Sequence, residues 1–532
     1  MTAESGELRR WLASGAAAVK RARARLDAIN VFPVADSDTG TNMYLTLQEG
    51  NRAVALLKPD ASHREVSAAF ARGALLGARG NSGVIVSQYL SAFLDALDAE
   101  GGLAQAPADG IARALAAASA GAYSAVGKPV EGTILTVAAQ AAKGAADAAA
   151  AGKDRDASIV AAVSAARTAL AATHEQLPQA HAAGVVDAGA AGLVLQLEML
   201  AETIAGPHAL DGLEQTEWEV TSTGKDVLAV AVDHLDHVDH HGAGGAYEVM
   251  FVAGEESADQ GDPAQNQAQS QAQNRAQNQA QNQAQALSAQ LASLGDSVAV
   301  TGLRGLVQAH VHTNSPDHAV RVASAFNARQ ILVRNIAAGR DRGEGSAGIV
   351  AMTQCPGLAA PLADAGAVVL VAPHPGDVKP RELRSAVRDA SGARAVEVAG
   401  DPALRAAATA LATRKKGPEI QVVEANHEAH VVAAVAAAVV AGPDDDLFQA
   451  MSHAVAATVT AASTADALDE DVDRLLTPDT ELVTLILPQG MSPSVADAVI
   501  LSAAATAPLA QVTIYQGRHG SPVIFIGVER SA

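Results

Sequence analysis

Up to residue 207 the apolar residues recur at helical spacing and almost nowhere alternate, which commits this stretch to a bundle of helices. Leu8, Leu12, Val19, Leu26 and Ile29 mark one stripe, and Val84, Leu90, Phe93, Leu94 and Leu97 mark a second. Leu193, Leu197, Leu200 and Ile204 recur at four, three and four, which is one face of a helix. From 208 the pattern changes. VLAVAV (227–232), YEVMFV (247–252), SVAVTG (297–302) and LVQAHVHT (306–313) read as strands, with helices over 286–294 and 317–327. This predicts a small α+β domain over 208–345. From 346 short apolar strands such as GIVAMT, VVLVA, RAVEVAG and IQVVEA alternate with helices, and LVTLIL, QVTIYQG and VIFIGVE close the chain. That layout predicts an α/β domain with a largely parallel sheet over 346–532.

A chain of 532 residues suggests three or four domains at roughly 150 residues each. Aromatic residues make up only 3%, so Ala, Val and Leu must fill the cores. A net charge of −21 disfavours a general binder of nucleic acid or of anionic membranes. The single Cys355 excludes an internal disulfide and fits a cytoplasmic setting. The first residues contain no continuous apolar run of the secretory kind. AHVVAAVAAAVVAG at 429–442 is too short to span a bilayer and reads as a buried helix. A low-complexity insert at 254–285 carries the tract PAQNQAQSQAQNRAQNQAQNQAQ over 263–285. Its composition offers little apolar surface to offset ordering, so it is expected to be a disordered or frayed-helical loop.

The segment from Asn30 to Met43, NVFPVADSDTGTNM, joins two helical stretches. Asp36 and Asp38 can converge on one hard cation, and magnesium favours one or two carboxylates together with phosphate oxygens. Thr39, Gly40, Thr41 and Asn42 then open a helix, whose unpaired N–H groups suit a phosphate. An Asx-type turn with an ordinary N-cap would use the same residues.

Three further loops have this chemistry. Gly77-Ala-Arg79-Gly80-Asn81-Ser82-Gly83 lets backbone approach an anion, with Asn81 and Ser82 as donors and Arg79 as a neutralising charge. Lys128-Pro-Val-Glu131-Gly132-Thr133 and Gly184-Val-Val-Asp187-Ala-Gly189-Ala-Ala-Gly192 are the third and fourth. Each alone could be plain capping. Four within one helical domain suggest a site built on one rim of a bundle.

Together these four motifs resemble the nucleotide-binding L-subunit domain of dihydroxyacetone kinases. More closely, they resemble its version in the ATP-binding subunit of bacterial fatty acid kinase, in order and in spacing, over about the first 200 residues. The resemblance implies an antiparallel barrel of helices that holds ATP with two magnesium ions, in a homodimer. Asp36 and Asp38 would be magnesium ligands, and the family position held by Asp in dihydroxyacetone kinases falls at Asn30. Thr39, Gly40, Thr41, Asn42, Gly80, Asn81, Ser82 and Gly83 would cradle phosphates, beside Arg79. Thr133, Asp187 and Gly189 would lie on the nucleotide side. The family has Pro where this chain has Ala35 and Gly where it has Ser37. A Ser fits there unless the position needs a positive φ.

His310 and His312 alternate on a strand, so both imidazoles share a face and can share a metal. GDS…VQAHVHTN resembles the middle domain of the same kinase component, where a Cys joins the His pair in a zinc site. Here the matching segment is Gly245-Ala246-Tyr247-Glu248, without the Cys. His234, His237, His240 and His241 are candidate substitutes, and a metal-free pair is the alternative. The C-terminal domain resembles its counterpart in layout and in its last strands. Two of the family's loops become Pro373-His374-Pro375-Gly376-Asp377 and Gly400-Asp401-Pro402. In fatty acid kinase that domain contacts a separate fatty-acid-binding protein. The implied activity is therefore transfer of the γ-phosphoryl of ATP to a fatty acid carboxylate held by a partner. A non-catalytic regulatory relative and a dihydroxyacetone-type kinase are the alternatives.

Overall fold

The computed structural model describes residues 3–214, 217–218, 245–254, 266–303, 305–328, 330–338, 347–378, 380–390, 394–414, 419–441 and 445–530. The chain divides into two compact units, one of residues 1–244 with 255–310 and the other of 245–254 with 311–532. Each is described by itself. The expected strand at 227–232 lies outside the described residues.

The first unit contains the helices α1 (Ala3–Ala28), α2 (Thr39–Ala55), α3 (His63–Gly77), α4 (Gly80–Ala99) and α5 (Ala108–Ser124). These are followed by α6 (Ile134–Ala150), α7 (Arg155–Gln176), the short α8 (Pro178–Ala183) and α9 (Ala188–Ala205). Consecutive helices pack on one another, and α9 packs on both α7 and α1, which closes the ring. All three apolar stripes face inward, with Leu8, Leu90 and Leu193 at 1% exposure or less. The few aromatics sit at the centre. Trp11 meets Phe93 edge to face at 5.2 Å, and its indole N–H donates to the Gln196 carbonyl at 3.1 Å. One described helix, α9, is long and apolar enough to cross a membrane, and 56% of its most apolar stretch is buried inside the bundle.

After β1 (Tyr247–Gly254), which belongs to the second unit, the chain returns to the first with α10 (Asn266–Leu291), β2 (Gly295–Leu303) and the start of β3 (Leu306–Thr313). Over 266–285 the Gln/Ala/Asn tract is helical, the second of the two forms expected for it, but as part of α10 it is packed from Ala280 onwards and not a loop. The reason is spacing. Ala280, Ala284, Leu287 and Leu291 fall at four, three and four and are all buried. Gly302 on β2 lets the helix come close, since a β-carbon there would stand 2.7 Å from the Ala280 carbonyl.

The second unit continues with α11 (Pro316–Ala325), β4 (Gln330–Asn335), β5 (Gly348–Thr353), α12 (Ala359–Asp364), β6 (Val368–Val371) and α13 (Pro380–Ala390). Next come β7 (Arg394–Ala399), α14 (Pro402–Ala412), β8 (Glu419–Val422), α15 (Glu428–Val440), α16 (Leu447–Ala457) and β9 (Thr458–Ser463). It ends with α17 (Leu468–Leu475), β10 (Thr480–Leu487), α18 (Asp497–Thr506), β11 (Gln511–Gln516) and β12 (Ile524–Arg530). Strands β3, β1, β4, β6, β5, β7 and β8 are neighbours in that order. The part from β6 to β8 is parallel, as expected, whereas β4 runs antiparallel to both β1 and β6. The final strands do not extend this sheet. They form a second one, β11-β10-β12-β9, in which only β10 and β11 are parallel. The apolar run that begins at 429 lies in α15, which packs against β5 and β7 of one sheet and β12, β9 and β10 of the other; it is buried up to Val435, whereas Val439 and Val440 near its C-terminal end are exposed.

Candidate nucleotide and metal sites

All four motifs open helices. Asp38 is the N-cap of α2, Arg79 of α4, Thr133 of α6 and Asp187 of α9. Alternating helix direction puts the starts of α2, α4 and α6 on one rim.

In the first loop, Asn30 is buried and joins two parts of the motif. Its side-chain amide donates to Asp36 Oδ1 at 2.5 Å, and its carbonyl oxygen accepts from the Thr39 hydroxyl at 2.8 Å. Asp36 and Asp38 are half-exposed, so both carboxylates border solvent. The peptide between Phe32 and Pro33 is cis. Ser37 has φ 56°, so the position does require the left-handed region that favours glycine.

A residue that sequence reasoning missed holds the start of α2. Asp27, near the end of α1, accepts the Thr41 backbone N–H at 2.9 Å and the Thr41 hydroxyl at 2.8 Å. Burial pushes its carboxyl above the usual range, the Thr41 donors pull it down, and the charge of Asp38 raises it further. Gly40 allows α2 to lie against α1, because a β-carbon there would stand 2.4 Å from the Arg23 carbonyl.

The second loop meets the first directly. The Ser82 and Thr39 hydroxyls are 3.2 Å apart, and a β-carbon on Gly83 would stand 2.5 Å from the Thr46 hydroxyl of α2. Arg79 is buried. Its guanidinium donates to the Gly77 and Ala78 carbonyls at 3.2 and 3.0 Å, and its backbone N–H to Thr46 at 3.3 Å. It shapes the loop from inside.

The fourth loop touches both the first and the third. A β-carbon on Gly192 would stand 2.5 Å from the Met43 sulfur, so α9 and α2 meet at their starts. Asp187 is buried and caps α9 through Ala190 N–H at 2.7 Å. Its carboxyl is pushed up to about 6 by burial, against the Ala190 and Ile134 N–H groups. Ile134 starts α6, so Asp187 links the third and fourth loops, with Gly189 packed between Asp187 and Ile134. Thr133 caps α6 by accepting from Leu135 N–H and donates to the Val130 carbonyl at 2.8 Å. Lys128 is exposed, and Glu131 accepts from the Tyr123 and Thr136 hydroxyls. The four loops thus follow one another as second, first, fourth and third. What they present is a row of helix N-termini with two carboxylates at the edge, a suitable setting for a phosphate chain with an oxygen-seeking cation.

His310 and His312 share a face of β3 and are both buried. In the second unit, Glu248 of β1 and His312 offer ligand atoms within 4.8 Å of each other. Glu248 therefore stands where the sequence comparison placed no ligand, and it is also paired with Arg334. His310 Nδ1 lies 3.0 Å from the Ser297 carbonyl. His234, His237, His240 and His241 lie outside the described residues. Cys355 is buried in the second unit, where burial and nearby Glu428 push its thiol up.

The altered C-terminal loops have plain structural uses. Pro375–Asp377 forms a turn of 3-10 helix, and Asp401 caps α14 through Ala403 N–H at 2.7 Å. At the end of β5, the buried Glu428 accepts the Thr353 hydroxyl and the Gln354 N–H at 2.9 Å. Gly400 makes room for that carboxylate, since a β-carbon there would meet it at 2.5 Å.

Residues 33–202 match the DAK2 domain family, and residues 270–338 match the FakA-like middle domain family, named for fatty acid kinase. The chain is 31% identical over 318 residues to Protein YloV of Bacillus subtilis, covering 59% of this chain and 52% of that protein. It is 32% identical over 293 residues to an uncharacterized protein of Staphylococcus epidermidis, covering 55% of this chain and 47% of that one. The chain therefore spans about half the length of the curated relatives it matches. The first match contains the first helix-opening loop from Pro33 onwards and the other three whole, and the second contains most of α10 together with β2, β3 and β4. This chain accordingly carries a kinase-family DAK2 domain followed by a middle domain of the FakA-like fatty acid kinase family.

Proposed function

We propose that the chain is the ATP-binding subunit of an acyl kinase, and that it phosphorylates the carboxylate of a fatty acid presented by a separate binding protein. The observation that carries this is the continuous row of helix starts at Asp38, Arg79, Thr133 and Asp187, with Asp36 and Asp38 at its solvent edge. The donor set at that edge is all oxygen, which fits magnesium and not a soft metal. Asp36 and Asp38 would hold the ion, with Asn30 fixing Asp36 through its hydrogen bond. Bound magnesium would neutralise charge on the phosphates.

The chain's own residues then supply alignment. The first turns of α2 and α4, joined at Thr39 and Ser82, aim N–H groups at the phosphates. In the transfer, a carboxylate oxygen of the acceptor attacks the γ-phosphorus and the bond to the departing ADP oxygen breaks, leaving acyl phosphate. An ionised carboxylate needs no general base, so positioning and charge neutralisation suffice. The acyl chain would be held by the partner, docked on the C-terminal part of the second unit, and the working assembly would be a homodimer in the cytoplasm.

One observation favours a second reading, a nucleotide-binding relative without turnover. Ser37 occupies a left-handed position between the two metal-binding carboxylates. Calorimetry on the full chain separates the readings. Binding of ATP that requires magnesium, lost in Asp38→Ala, with phosphate transfer to an acyl acceptor, supports the kinase. Binding without transfer to any fatty acid held by a binding protein supports the relative, and unchanged affinity in Asp38→Ala refutes the site.

A further inference from the structure

We propose that Gln308, on β3 of the middle region, is a positioning residue for the second phosphate loop, so that the nucleotide site is completed by residues outside the DAK2 domain. The inference rests on the reading of that site given above.

Gln308 is buried, and its side-chain amide donates to the Ala78 carbonyl at 2.9 Å, across 230 positions of sequence. Ala78 and Arg79 are the whole link between α3 and α4, so the Ala78 carbonyl fixes how α4 begins. The same carbonyl accepts from the Arg79 guanidinium at 3.0 Å. Gln308 therefore holds from outside what Arg79 holds from inside. The neighbouring strand adds to this. Ala299 of β2 packs with Ala78 and Val84, which stand on either side of Gly80 and Gly83.

Strand β2 also reaches the approach to the third loop. The Val300 N–H donates to the Ala125 carbonyl at 2.9 Å, and Gly127 N–H donates to the Val298 carbonyl at 3.2 Å. Val126 and Ala299 thereby form an antiparallel bridge immediately before Lys128–Thr133. Two of the four loops are thus steadied by a strand pair from a region that a reading of the helical domain leaves out. Donors aimed at a phosphate act only when their direction is set in advance, so slackening this brace should be felt in affinity more than in stability.

The test uses the full chain and two variants. Gln308→Met keeps the size of the side chain and removes the donor. Thr301→Val removes the hydrogen bond from β2 to Gln88, two turns into α4, and serves as a control for general weakening of the same contact. Affinity for magnesium ATP is read by calorimetry, melting by calorimetric scan, and amide exchange over 77–83 by mass spectrometry without nucleotide. We expect Gln308→Met to weaken binding about tenfold, which is about 1.4 kcal/mol, and to speed exchange at 77–83. Thr301→Val should leave both as in the wild type at a similar melting temperature. Wild-type affinity and exchange in Gln308→Met overturn the proposal. Equal losses of affinity in both variants overturn it too, since they mark a merely structural contact. A wild-type chain that binds no nucleotide overturns the site reading, and exchange at 77–83 then decides separately whether Gln308 holds the loop.

Discussion

Thr41 gives both of its donors to one carboxylate, its backbone N–H at 2.9 Å and its hydroxyl at 2.8 Å to Asp27. The pair ties the end of α1 to the first turn of α2, next to Asp38. Asp27→Ala leaves two donors without their acceptor, and half-burial limits how well water replaces it. The expected cost is about 1–3 kcal/mol of stability, read as a lower midpoint in denaturant. Asp27→Asn, which can still accept, should recover most of it. An Asp27→Ala variant as stable as the wild type would refute the tie.

Ser37 sits at φ 56° on the surface of the same loop, where no packing depends on its side chain. Replacing a left-handed residue by glycine removes steric cost of about 1 kcal/mol. Glycine's greater freedom in the unfolded chain subtracts part of it. Ser37→Gly is expected to raise the melting temperature slightly and to leave the loop's shape unchanged. A fall in melting temperature would mean that the serine side chain contributes a contact worth more than the strain.

Two buried carboxyls set an alkaline limit on the second unit. Burial pushes Glu397 up to about 8 and Glu428 to about 7, from an ordinary 4.5. Both are harder to ionise folded than unfolded. Their contribution is therefore whole below pH 4.5 and is lost as pH rises through 7 and 8. Between pH 6 and 9 the unit should lose stability, and Glu397→Gln should flatten that slope. His427, pushed down to about 4 by burial and by His430, acts in the other direction and costs stability as pH falls from 6.5 towards 4. Melting temperatures across pH 4–9 for the wild type and Glu397→Gln check both signs, and identical slopes above pH 6 would refute the first.

Leu287 lies fully buried where α10 meets the rest of the first unit. Leu287→Ala should destabilise that unit by about 2–5 kcal/mol, whereas exchanging the exposed Gln281 for Ala should change little. A Leu287→Ala chain with an unaltered melting curve would return α10 to the status of an appended, unpacked helix.

What could be read in advance was local. Helix starts at Thr39, Gly80, Ile134 and Ala188 follow from caps and glycines within a few residues of each, and the inward stripes follow from spacing. Asp27 escaped because its partner is fourteen residues away in another helix, and a lone Asp at a helix end looks like surface. The signal was there in outline: Thr41 in a first turn needs an acceptor, and Asp27 is the carboxylate that the end of α1 supplies. Arg79 was legible as a charge but not as a buried donor to its own loop, because burial depends on how α3 and α4 close around it. Gln308 could not be found at all without the fold. The Gln/Ala/Asn tract misled through its composition, since two of its alanines, Ala280 and Ala284, fall in line with Leu287 and Leu291 just beyond it, and that was enough to give the helix a packed face.

That packed face has a consequence for how the tract can change. Its alanines recur every fourth residue, while a helix turns once in 3.6, so the row rotates by about 40° with each repeat. A row that rotates leaves any flat neighbour within two or three repeats. Contact with β2 is made at Ala280, and the step of three from Ala284 to Leu287 then brings the stripe back into line. Adding or removing a four-residue unit on the N-terminal side leaves this junction as it is. Near the C-terminal end of the repeat, the contact at Ala280 is thus set by the step of three that follows it and not by the number of repeats before it.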